Sequence, residues 1–67
     1  MNKKYNFFTI KTRNLIINTL LILLLLNPYK TITVTEVFTF AKIKKQSFYN
    51  NFKSKDDVLN NYIDFLK

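Results

Sequence analysis

The sequence predicts an all-α fold, a small helical bundle of about four helices that contains a helix-turn-helix. Two observations support this prediction. Apolar residues recur at helical spacing, and two helix-capping motifs occur at Thr33 and Ser54. With 67 residues and no Cys or His, neither a disulfide nor a usual zinc site can stabilise the core. Packing of helices against one another is therefore the expected source of stability.

The first predicted helix covers residues 13–27 and follows a basic, flexible arm, residues 1–12, which lacks clear helical spacing. It ends before Pro28, because a proline disfavours helical backbone at the residue that precedes it. A core stripe is predicted at i, i+4, i+7 and i+8: Ile16, Leu20, Leu23 and Leu24. Ile22 and Leu25 lie on the other side, so this helix is apolar nearly all round, as is typical of helices buried on both faces.

The apolar segment 15–26 also allows a membrane interpretation. A transmembrane helix needs about 20 apolar residues, and this segment is shorter and contains Asn18 and Thr19. A signal peptide fits its length better, since an apolar region of about 7–15 residues after a basic start is typical, but no small-residue cleavage site follows it. A membrane-associated or secreted basic peptide therefore stays an alternative.

Three further helices are predicted after the connector 28–33. Thr33 with Glu36 forms a capping-box pattern for a helix over 34–41. Residues 41–44 form a turn, and a short helix follows at about 45–51, with Phe48 and Phe52 facing the core. Ser54 with Asp57 caps the fourth helix, whose apolar side packs on the first.

The charge favours a polyanionic partner. Eleven Lys and Arg oppose four acids, giving a net charge of +7, which suggests nucleic acid or an anionic membrane, although a general Lys bias of the genome would also raise the charge. The distribution of charge along the chain favours a polyanionic partner over a general Lys bias. Between Ala41 and Lys55 there is no acid, and there are five lysines: Lys42, Lys44, Lys45, Lys53 and Lys55. Such a block can neutralise phosphates and release counterions.

The residue types present do not include the groups that most enzymes use for catalysis. Without His or Cys the usual general base and thiol nucleophile are missing, and without Gly no glycine-rich phosphate loop can form. The four acids are too few and too scattered for a carboxylate pair. Neither catalysis nor a cofactor or metal is expected.

Residues 32–59 resemble the segment that defines the TetR (TetR/AcrR) family of transcriptional regulators. They comprise a Thr-capped helix, an Ala-x-aliphatic turn, a short helix ending in FYNNF at 48–52, and then KSKDD at 53–57. The upstream Arg13, Ile16, Leu20 and Tyr29 also fit the family's spacing. The resemblance implies that residues 13–67 form a TetR-like DNA-binding domain whose recognition helix is about 45–51. It further implies sequence-specific double-stranded DNA binding, regulation of transcription by repression, and a bacterial, cytoplasmic protein.

The resemblance also assigns roles to individual residues. Thr33, Tyr49 and Lys55 would hold phosphates. The positions expected to contact bases and backbone are Lys44, Lys45, Gln46, Ser47, Asn50 and Asn51. Three of these residues have a plainer interpretation: Tyr49 as a packing residue, Lys55 as a solvated helix-end charge, and Gln46 as an ordinary surface residue.

The sequence departs from the family pattern at Lys42, where Gly is usual and a left-handed backbone would be strained. Lys44 stands where a small capping hydroxyl is common, and Phe38 replaces a small residue. The family's ligand-binding and dimerisation domain does not follow in this chain, so no small-molecule inducer site is expected. A homodimer or heterodimer through the apolar first and fourth helices is predicted, and a truncated regulator that pairs with a full-length relative is a further alternative.

Overall fold

A computed structural model describes the backbone of residues 7–66 and the side chains of residues 10–64. It contains four α-helices: α1 (Phe7–Leu26), α2 (Val34–Phe40), α3 (Lys45–Asn51) and α4 (Lys55–Leu66). A short 3₁₀ turn, Tyr29–Thr31, connects α1 to α2. No strand occurs among the described residues, so the predicted all-α class is confirmed.

The first helix begins earlier than predicted. It starts at Phe7 rather than at residue 13, and the predicted flexible arm is therefore wrong for residues 7–12, while residues 1–6 lie outside the described part. Neither Pro nor Gly interrupts the sequence from residue 7 to the end of α1, so nothing stops the helix from extending beyond its apolar stripe.

The core is formed by α1 against the other three helices. The predicted stripe is largely confirmed, because Ile16 and Leu20 are fully buried and Leu23 nearly so, while Leu24 is partly buried. The remaining buried core residues come from all later parts of the chain: Ile32, Val37, Phe48, Phe52 and Val58. A single cluster thus holds α2, α3 and α4 on one helix.

The far side of α1 is not covered. Ile22, Leu25 and Leu26 are 57%, 84% and 73% exposed, respectively, so the expectation that this helix is buried on both faces does not hold among the described residues. Within residues 7–66, no helix combines the length and apolarity needed to cross a bilayer.

Both predicted capping motifs are present. The Thr33 hydroxyl accepts a hydrogen bond from the Glu36 amide at 3.1 Å, and the Glu36 carboxylate accepts one from the Thr33 amide at 3.0 Å. At α4, the Ser54 hydroxyl accepts from the Asp57 amide at 3.1 Å. These bonds satisfy amides that the first turn of each helix leaves unpaired, and so fix where α2 and α4 begin.

Candidate nucleic-acid interface

The turn between α2 and α3 ends α2 with a left-handed residue. Lys42 has φ 60°, as its replacement of a usual Gly predicted. The Lys42 amide donates to the Thr39 carbonyl at 3.1 Å, and the Ile43 amide donates to the Phe38 carbonyl at 3.0 Å. This pair of bonds is a Schellman motif. It stops α2 sharply and leaves Lys42 exposed, with Ile43 packed against the core.

Helix α3 is anchored by its aromatic inner side. Phe48 is fully buried and Phe52, just beyond the helix, is 2% exposed, and their rings pack with centroids 6.1 Å apart. Lys44 at the N-cap makes no side-chain capping bond, as predicted from its lack of a hydroxyl. With seven residues and no cap, α3 depends on this packing rather than on its own helical propensity.

The opposite side of α3 is polar and exposed. We define the outer face of α3 as Lys45, Gln46, Tyr49 and Asn50, all of them exposed. Their i, i+1, i+4, i+5 spacing puts them on one side of the helix. These four residues, all predicted to contact DNA, are therefore exposed together, whereas Ser47, for which the same contact was predicted, is half-buried.

Tyr49 combines packing with exposure. Its ring meets Phe48 edge to face, with centroids 5.1 Å apart and an interplanar angle of 76°, yet the side chain is 46% exposed. The packing interpretation of Tyr49 is thus correct for the ring and does not remove it from the outer face.

Asn51 does not belong to the outer face. It is half-buried, and its amide nitrogen donates to the Ser47 carbonyl at 2.9 Å. Both Asn51 and Ser47 lie at the border of the exposed face, where the amide nitrogen of Asn51 is already bonded within the helix. The resemblance implied that Asn51 contacts DNA together with Asn50, and the structure places only Asn50 of the two on the outer face.

Arg13 on α1 holds the end of α3. Its guanidinium donates to the Asn51 carbonyl at 2.9 Å and to the Asn61 side-chain oxygen at 3.0 Å, and it lies 4.5 Å from the centroid of the Phe52 ring. Arg13 therefore joins α1, α3 and α4, and it stabilises a carbonyl at the negative end of α3. Sequence reasoning placed Arg13 at a family position but did not find this role, because the contacts span 38 and 48 residues.

Lys55 at the start of α4 is engaged with the protein itself. Its ammonium donates to the carbonyls of Tyr29 and Ile32, at 2.7 and 2.6 Å, and lies 4.2 Å from the centroid of the Tyr29 ring. The interpretation of Lys55 as a solvated helix-end charge is therefore wrong. An ammonium has three donors, and these two carbonyls use two of them.

Tyr29 completes this contact from the other side. Its hydroxyl donates to the Asp56 carboxylate. Partial burial, together with the hydrogen bond to Asp56 and the negative charge of that carboxylate, raises the pKa of Tyr29 to about 12. The start of α4 is thereby fixed to the segment that leads into Thr33, so the two predicted phosphate contacts, Thr33 and Lys55, belong to one connected region.

The basic residues lie at both ends of α3. Lys42 and Lys44 precede it, Lys45 begins it and Lys53 follows it, and all four side chains are exposed. No group of three potential metal ligands occurs in the described part of the chain. A groove of about 580 Å³ lies elsewhere, between α1 and α4, and its lining includes none of the predicted site residues.

The sequence matches no protein-family model, and neither a curated protein nor a solved structure shows significant similarity to it. The residue pattern and the geometry of α2–α4 are therefore the basis for a functional proposal.

Proposed function

We propose that this chain binds double-stranded DNA, with α2 and α3 acting as a helix-turn-helix whose second helix enters the major groove. The observation that carries the proposal is that α3 has two different sides. Phe48 and Phe52 anchor its inner side in the core, while its outer face is polar, exposed and free of acidic residues. The proposed role is that of a TetR-type transcriptional repressor, which implies a cytoplasmic location.

The lysines around α3 support an electrostatic contribution to binding. Each phosphate that they neutralise releases counterions, so the logarithm of affinity should fall by about 0.9 per contact for each unit of log salt. Thr33 and Lys55 are proposed to hold phosphates beside the groove through the Thr33 hydroxyl proton and the remaining ammonium N–H of Lys55. Tyr49 is proposed to hold another through its hydroxyl.

A gel-shift titration with random duplex pools at two salt concentrations tests the proposal. The wild-type chain should retain DNA and lose affinity as salt rises. The double variant Lys45→Ala with Tyr49→Phe should bind much more weakly and with a smaller salt dependence. Its matched control is Lys11→Ala with Tyr62→Phe, which removes the same groups from α1 and α4. Equal binding by the Lys45/Tyr49 variant and the wild type would show that α3 is not the recognition helix.

We also propose that the exposed end of α1 supports pairing, either with a second copy or with a full-length relative, since a monomer engages only one half-site. The exposed Ile22, Leu25 and Leu26 are the supporting observation. Sedimentation should show association that Leu25→Gln with Leu26→Gln abolishes. If the chain instead binds anionic liposomes and no duplex, the membrane-associated peptide becomes the better explanation.

A further inference from the structure

Two amide side chains on the outer face of α3 are joined to each other. Gln46 donates from Nε2 to Oδ1 of Asn50 at 3.1 Å, across one helical turn, and both side chains are exposed. A side-chain amide carries two N–H donors and a carbonyl oxygen with two lone pairs. This bond therefore leaves Asn50 with both of its N–H groups and with one lone pair on Oδ1.

The bond also sets which way the Asn50 amide points. Free rotation would present either end of the amide to a ligand, whereas the bond keeps Oδ1 turned toward Gln46. The free edge of Asn50 then offers one acceptor and one donor side by side. In the major groove adenine alone presents the complementary pair, an acceptor at N7 beside a donor at N6, while guanine presents two acceptors there.

We propose that Asn50 is a specificity-determining residue that contacts an adenine, donating to N7 and accepting from the N6 amino group. Gln46 acts as the positioning residue that orients it. This inference rests on the proposed DNA binding by α3 and adds the base that the helix recognises. Oδ1 then accepts two hydrogen bonds, one from Gln46 and one from the base, which its two lone pairs allow.

The first test uses the wild-type chain and altered DNA. Selection from a random duplex pool should return sites with a required adenine. In a selected duplex, replacing that adenine by 7-deazaadenine removes the N7 acceptor, and replacing it by 2-aminopurine removes the N6 donor. Each change should weaken binding on the order of 5- to 100-fold, the range expected for a bidentate contact. The same analogues placed outside the protected site serve as the control and should have no effect.

The second test alters the protein. Asn50→Asp keeps the acceptor but loses the N–H donors, so the base preference should shift from adenine toward cytosine. The control is Asn60→Asp, which makes the same charge change at an exposed position of α4 and should leave the base preference intact. Gln46→Met keeps a similar length without the hydrogen bond. It should reduce the ratio of adenine-site to random-site affinity while leaving the salt dependence unchanged.

The outcomes separate this inference from the proposed function. Salt-sensitive DNA binding without an adenine requirement, or with full tolerance of both analogues, would overturn the roles of Asn50 and Gln46 and leave DNA binding in place. A wild-type chain that binds no duplex would overturn both.

Discussion

Replacing Lys42 by Gly should stabilise this domain. Lys42 has φ 60°, and a left-handed backbone costs a residue with a Cβ atom roughly 1–2 kcal/mol. Glycine avoids that cost but gains freedom in the unfolded chain, which destabilises the folded state by about 0.4–1 kcal/mol. The central values give a net stabilisation of roughly 0.8 kcal/mol, within a range of about 0 to 1.6 kcal/mol. In a domain of this size, the central value corresponds to a rise in Tm of about 3–6 °C.

Thermal unfolding followed by circular dichroism at 222 nm measures the effect. The control is Lys42→Ala, which removes the same charge and side-chain length but keeps the Cβ atom. Lys42→Gly should melt above both the wild type and Lys42→Ala. If the Gly variant melts no higher than the Ala variant, the left-handed conformation does not limit stability and the reasoning fails.

Three further changes test other contacts. Lys44→Ser supplies the side-chain hydrogen bond that the N-cap of α3 lacks, and it should raise the free energy of unfolding by about 1 kcal/mol. The same change should weaken DNA binding in a gel shift. A fall in both the free energy of unfolding and DNA affinity would contradict the capping argument. Arg13→Lys cannot reproduce the two hydrogen bonds and the stacking of the guanidinium, so urea unfolding should show a loss of about 1–3 kcal/mol; an unchanged midpoint would show that the contacts add nothing. The Tyr29 hydroxyl holds its proton more tightly in the folded protein, so the contribution of this proton to folding stability is fully present below pH 10 and is lost as the pH rises toward 12. Between pH 9 and pH 12, the urea midpoint of Tyr29→Phe should therefore fall less than that of the wild type. Parallel curves for the two proteins would refute this.

Local sequence patterns predicted most of the fold. The capping motifs depend on residues three positions apart, and they predict that α2 begins after Thr33 and α4 after Ser54. The limits of α3 were predicted correctly as residues 45–51. The left-handed backbone of Lys42 was implied by the family resemblance, because Gly is usual at that position. The start of α1 at Phe7 was missed, since the segment before its apolar stripe has no periodic pattern.

The candidate site was predicted less completely. Exposure of Lys45, Gln46, Tyr49 and Asn50 follows from helical spacing once the inner aromatic residues are known. The engagement of Lys55 by the carbonyls of Tyr29 and Ile32 does not, because it depends on how α4 meets a 3₁₀ turn more than twenty residues away. The same limit applies to Arg13. Long-range hydrogen bonds depend on the packed geometry, which no spacing within one helix encodes.

The separation between the two sides of α3 has an evolutionary consequence. The helix is held by Phe48, Phe52 and the guanidinium of Arg13. Among the outward residues, the Tyr49 ring packs on Phe48, whereas the side chains of Lys45, Gln46 and Asn50 are exposed. Single substitutions at those three exposed positions should therefore be nearly neutral for folding. Under the proposed DNA binding, a lineage carrying this scaffold could change the sequence it recognises one codon at a time without compensating mutations in the interior.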